Sequence, residues 1–125
     1  MNLLYIFLGG GLGALSRFAL SSGVTRLATS TRLQGFPLGV LACNLIGSFL
    51  IGLIIGHIAL RHDQDFIRLH PFAVAGFLGS FTTFSTFALD THKLFAVSPA
   101  LAVLNIAISV IGSLAAVWLG FKIAG

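Results

Sequence analysis

Four long stretches of the chain, near residues 2–22, 36–60, 71–95 and 98–123, are dominated by apolar side chains and carry at most two Asp, Glu, Lys or Arg each. A helix of about 20 residues covers the roughly 30 Å of bilayer hydrocarbon, so each stretch is long enough to cross it. Charged residues make up 8% of the 125, against about a quarter in a soluble domain, which excludes an ordinary water-soluble fold. The expectation is an all-α membrane protein with one four-helix transmembrane domain over residues 1–125 and both termini on one side of the membrane. The N-terminal stretch lacks the positive n-region of a signal peptide and is expected to be retained.

The connection Ser22–Gly35 gathers Thr25, Arg26, Thr29, Ser30, Thr31, Arg32 and Gln34, and Arg61–His70 gathers Asp63, Asp65, Arg68 and two histidines; both read as water-exposed loops. Pro71 and Pro99 each suit the first turn of a helix. Seven Lys and Arg against three Asp and no Glu give a net charge of +4 without a basic tract, so no nucleic-acid partner is expected. The single Cys43 and four dispersed histidines match no metal-ligand spacing, and no nucleophile sits with a base and an oxyanion donor, so an enzyme is not expected.

The loop charges carry little bias. The face with the termini holds Arg61, Arg68 and Lys122, and the other holds Arg26, Arg32 and Lys93, with Arg17 nearby. A chain without bias is permitted to insert both ways round, which allows an antiparallel homodimer of identical subunits. Gly9 and Gly13, and Gly52 and Gly56, are spaced to put pairs of glycines on one helix face, where another backbone can approach closely. Burying those faces in so short a chain points to a second copy, hence to a homodimer.

Polar groups at membrane depth are costly unless they are paired or face water. Asn44, Ser48 and Gly52 form one stripe on the second span, and Asn105, Ser109 and Ser113 form one on the fourth. Such stripes serve either as interhelical hydrogen-bonding glue or as a polar track for an ion. Amide and hydroxyl groups donate to anions, and no carboxylate lies on either stripe to repel one.

The third span holds Gly76, Gly79 and the run Ser80-Phe81-Thr82-Thr83-Phe84-Ser85-Thr86-Phe87. Its glycines and hydroxyl residues compete with helical hydrogen bonding, so a break is expected over Gly79–Thr83, with freed carbonyls able to hold a small cation. Phe84 and Phe87 share a face, as lipid or core aromatics or as rings whose positive edges meet an anion. Arg17 either snorkels to the interface or attracts anions into a vestibule, and Asp90 either caps local structure or pairs with Arg17 or Lys93.

These motifs resemble the Fluc (CrcB) fluoride channel family across essentially the whole chain. The resemblance rests on Gly13-Ala14-Leu15-Ser16-Arg17-Phe18, Asn44-Leu45-Ile46-Gly47-Ser48-Phe49 with Gly52, Gly76-Phe77-Leu78-Gly79, Thr82-Thr83-Phe84-Ser85-Thr86-Phe87 and Ile111-Gly112-Ser113. It implies a passive channel exporting fluoride from the cytoplasm across the inner membrane, built as a dual-topology homodimer with two pores. By the same resemblance, Phe84, Phe87 and Asn44 match the pore positions and Ser113 the hydroxyl track; beside it, the chemistry of the side chains makes Ser109, Thr83 and Ser85 further groups available to replace water around the ion. The backbone carbonyls of Gly79 and Thr82 match positions that hold a structural sodium ion, and Arg17 and Asp90 match charged positions at the pore entrances. One departure is Gly39-Val40-Leu41, where the family often has Gly-Thr-Leu. The alternative reading, a small four-span proton-coupled multidrug antiporter, needs an intramembrane carboxylate, for which Asp90 is the sole candidate.

Overall fold

The computed structural model describes residues 2–29 and 35–125; Ser30, Thr31, Arg32 and Gln34 of the first expected loop lie outside the described residues. The described chain is helical: α1 Asn2–Ala28, α2 Leu38–Arg61, α3 Gln64–His70, a π-helical segment Pro71–Leu78, α4 Gly79–Phe81, α5 Phe84–Val97 and α6 Pro99–Ala124. Four helical stretches, with α3 through α5 counted as one, are long and apolar enough to cross a membrane. The chain is a multi-pass membrane protein.

Several boundaries differ from the expectations. The first span runs on through Ser22–Ala28, because Gly23 alone interrupts helix-compatible residues there; Thr29 closes the end by donating to the Arg26 carbonyl at 2.6 Å. The expected Arg61–His70 loop contains α3 instead. Asp63 caps it, accepting from the Asp65 N–H at 3.0 Å, after His62 turns the chain in the left-handed region at φ 52°. Pro71 therefore does not start a helix. It lies inside a continuous one, where its missing N–H and its ring conflict with an i→i−4 ladder. The turns widen accordingly, and the Gly79 N–H still reaches back five residues to Val74. Pro99 does open α6, behind Ser98, whose hydroxyl accepts from the Leu101 N–H at 3.4 Å.

Helix α2 occupies the middle, with α1 on one side and α6 on the other; the π-helical segment and α4 lie against α1, and α5 lies against α6. The third span thus passes over α2. Close approach makes this possible. A Cβ on Gly13 would overlap the Phe77 carbonyl oxygen, and one on Gly52 would overlap that of Val117, so backbone meets backbone at both seams. The Gly9/Gly13 and Gly52/Gly56 faces are consequently consumed inside one chain, against the π-helical segment and α6, and do not themselves call for a second copy. A buried cluster of Cys43, Leu78 and Phe81 lies where α2 meets the third span, while side chains such as Phe7, Phe18, Ile111 and Trp118 point outward as a lipid-facing surface.

Two outcomes follow from this packing. Gly13→Ala drives a Cβ into backbone that cannot swing aside and should cost about 1–3 kcal/mol, seen as a lower melting temperature in detergent, whereas Gly11→Ala, with open space around it, should be neutral. At the α2–α3 turn, the His57 side chain and then the Asp65 N–H hold the Asp63 carboxyl below the usual carboxylate range. A depressed carboxylate stabilises its setting above its ordinary value of about 3.9 and loses that contribution as pH falls through the lowered one. Protection of the Gln64–His70 amides from exchange, relative to the intrinsic rate at each pH, should therefore fall in that acidic window, and Asp63→Ala should abolish that fall.

Candidate functional site

Between α4 and α5 the backbone of two residues is extended, Thr82 at φ −91°, ψ 156° and Thr83 at φ −151°, ψ 123°. Of the residues expected to leave the helix, Gly79, Ser80 and Phe81 remain helical. Asn44 on α2 faces this link and binds it twice: the Thr83 N–H donates to Asn44 Oδ1 at 2.8 Å, and Asn44 Nδ2 donates to the Thr83 carbonyl at 3.1 Å. The two bonds fix the amide orientation, since each end of the side chain meets the complementary backbone group. Gly47, three residues along α2, lets the link lie close, because a Cβ there would overlap the Thr82 methyl group.

The hydroxyls finish the local structure. Thr82 Oγ1 donates to the Leu78 carbonyl at 3.0 Å, and Thr83 caps α5 by accepting from the Thr86 N–H at 3.3 Å. These bonds also decide which carbonyls lose a partner. In an unbroken helix Thr83 N–H would bond to Gly79 and Thr86 N–H to Thr82, but both donors are diverted, to Asn44 and to the Thr83 hydroxyl. The carbonyls of Gly79 and Thr82 are thereby left without their i+4 donors, a donor set that fits a hard monovalent cation.

Around the link opens a groove of about 490 Å³. Asn44, Ser48, Gly79, Thr82, Thr83, Phe84, Phe87, Ser109 and Ser113 line it, so residues from α2, the third span and α6 meet there. The rings of Phe84 and Phe87 are tilted at 55° with centroids 5.6 Å apart, and Phe84 is 79% exposed. The lining contains no charged side chain. The first turn of α5, the positive end of its dipole, opens beside the groove at Thr83 and Phe84.

Other expected site residues lie elsewhere. Ser85 is exposed and does not line the groove, although its Oγ lies 3.4 Å from Thr83 Oγ1. Asp90 lines a separate depression with Ser21, Thr25, Thr86 and Lys93, and Val40 lies in its wall. Among the described residues no ion pair joins Asp90 to Arg17 or Lys93; the pairs present are His57–Asp63 at 3.4 Å and Arg68–Asp65 at 3.8 Å. Arg17 is half-buried on α1, and its carbonyl accepts a weak bond from the Cys43 thiol at 3.8 Å.

The α6 stripe divides. Ser113 and the largely buried Ser109 line the groove, whereas Asn105 is turned to α5 and donates to Thr91 Oγ1 at 2.9 Å. Thr91 had no place in the sequence reading. Its signal is its spacing of four from Phe87, whose carbonyl accepts from the Thr91 hydroxyl at 2.7 Å.

Comparison with known proteins gives a consistent result. The family model described as "CrcB-like protein, Camphor Resistance (CrcB)" matches residues 4–121. A Francisella philomiragia protein named fluoride-specific ion channel FluC is 43% identical over 123 residues, covering 95% of this chain and 91% of the relative. Proteins of the same name from Ruminiclostridium cellulolyticum and Citrifermentans bemidjiense are each 41% identical, over 125 and 124 residues, covering 99% and 98% of this chain and 92% and 96% of those relatives.

The site generates its own test. Asn44→Leu keeps the volume but removes both bonds, and each stranded backbone group costs about 1–3 kcal/mol. The expected result is a lower melting temperature with accelerated amide exchange at Thr83; unchanged exchange would show that the amide does not hold the link.

Proposed function

The chain belongs to the CrcB-like family, and on that premise we propose that it is a passive, fluoride-selective channel. The observation that carries the reading is the groove itself. It gathers amide and hydroxyl groups, two tilted aromatic rings and a helix N-terminus around a lining without charge. Fluoride holds its water strongly, so a path for it must substitute donors and positive ring edges for that water without holding the ion too tightly to release it. The free N–H of Asn44, the hydroxyl of Ser113 and the edges of Phe84 and Phe87 supply those substitutes, and the hydroxyls of Ser109 and Thr83 join them by turning from the Asn105 and Thr86 oxygens to which they donate. Ser85 joins at the mouth of α5, and Arg17 and Asp90 set the potential near the pore entrances. Val40 offers no donor where many family members have threonine.

The working unit in this reading is an antiparallel homodimer of dual topology in the inner membrane, with two pores carrying fluoride out of the cytoplasm. The balanced loop charges and the largely exposed Phe84 ring beside an open groove support a second copy closing the path. The carbonyls of Gly79 and Thr82 would hold a structural sodium ion. When bound, that ion supplies positive potential and mechanical cement at the link.

The test is ion efflux from liposomes carrying the purified protein, with a potassium ionophore clamping the voltage. Rapid fluoride loss with chloride retained is the expected outcome, and retention of both ions by folded protein would sink the proposal. Phe84→Ile should slow fluoride efflux by about tenfold or more, a barrier increase of at least about 1.4 kcal/mol, while leaving elution in detergent unchanged. Exchanging sodium for a bulky organic cation should lower the melting temperature; no change would remove sodium from the account.

A further inference from the structure

The buried chain behind the groove has a fixed direction. Thr91 gives its proton to the Phe87 carbonyl at 2.7 Å, so toward Asn105 it can only accept. Asn105 Nδ2 fills that role at 2.9 Å, which turns Oδ1 toward Ser109. Ser109 then donates to Oδ1 at 3.3 Å. Asn105 is 1% exposed and cannot turn over without stranding an amide group in the interior. The consequence falls on Ser109, which lines the groove: its proton points into the protein and its lone pairs remain for whatever enters. As the structure stands, Ser109 meets an anion as an acceptor.

We propose that Asn105 is an internal competitor for the Ser109 proton, so that an anion reaching Ser109 must draw that proton away from the amide oxygen and surrenders it again on leaving. The inference rests on the fluoride reading above and assigns a positioning role to Asn105, which does not touch the ion. The bond being displaced is long for O–H···O, where about 2.7–2.8 Å is usual, so it yields readily. Its return offsets the ion's departure. Thr91 sets the direction of the whole arrangement, and its bond to the Phe87 carbonyl ties that direction to the helical turn carrying one of the groove rings.

The test compares fluoride efflux against fluoride concentration for the unchanged protein and for Asn105→Leu, both reconstituted at matched density. Leucine fills similar space and leaves the Thr91 bond to Phe87 intact. With the competitor removed, the half-saturating fluoride concentration should fall by between about twofold and tenfold, the range spanned by one hydrogen bond of modest net strength, and the maximal rate should fall with it. In an Ser109→Ala background the same substitution should produce no further shift in half-saturation. A lower maximal rate with unchanged half-saturation is what a merely structural role gives, and it overturns the proposal. So does an equal shift in the Ser109→Ala background. Should Asn105→Leu not fold, the unchanged protein carrying ¹³C-labelled asparagine provides the reading. The Asn105 side-chain carbonyl resonance should move as fluoride is added, and a resonance that stays put at saturating fluoride overturns the proposal. An unchanged protein that passes no fluoride would instead overturn the channel reading itself.

Discussion

Interrupting a helix at membrane depth exposes backbone groups that no solvent can satisfy, and everything distinctive about this molecule depends on how two of them are met. The Asn44 side chain presents one acceptor and one donor to the two polar atoms of Thr83, at 2.8 and 3.1 Å. With those satisfied, the third span can stop, step sideways in extended backbone and start again. The step takes the span from the α1 side of α2 to the α6 side. The same diversion of N–H groups leaves the carbonyls of Gly79 and Thr82 without helical partners, so the clamp and the donor set for a cation arise from one rearrangement.

Close packing of backbones makes the clamp possible. Side chains of ordinary size at Gly13, Gly47 and Gly52 would hold α1, α4 and α6 away from their neighbours, and the reach from Asn44 to Thr83 would be lost. These glycines do the work that apolar side chains do in water-soluble cores, because lipid gives two helices little hydrophobic reason to associate. The polar contacts are correspondingly few and fully engaged. Thr91, Asn105 and Ser109 are buried, and each is hydrogen-bonded.

The four membrane spans were legible in the sequence because hydrophobic length is a property of single segments. The residues of the groove were legible through their chemical oddity, polar groups and paired rings in apolar surroundings. Relations between segments were less accessible. The glycine pairs announced close approach, yet spacing alone does not distinguish a neighbour in the same chain from one in another copy. The α6 stripe read as one polar face, but only Ser113 and Ser109 reach the groove, because Asn105 is turned to α5 by Thr91, a residue unremarkable by itself. Pro71 looked like a helix start because proline favours that position; Asp63, seven residues before the end of α3, is the stronger local signal and sets the start instead.

The π-helical turns over Pro71–Leu78 also hold spare length. Wider turns accommodate more residues for the same advance than α-helical ones, so the chain between the Asp63 cap and Thr83 carries slack that a regular helix lacks. Removing one residue here would let the stretch relax toward ordinary α geometry and leave Thr83 facing Asn44 much as before. The same deletion within α2 or α6 has no such slack to absorb it and would rotate everything beyond it by about 100°, the angle of one residue in a helix with 3.6 per turn. Single-residue length variation should therefore be tolerated between Pro71 and Leu78 far better than in the regular spans.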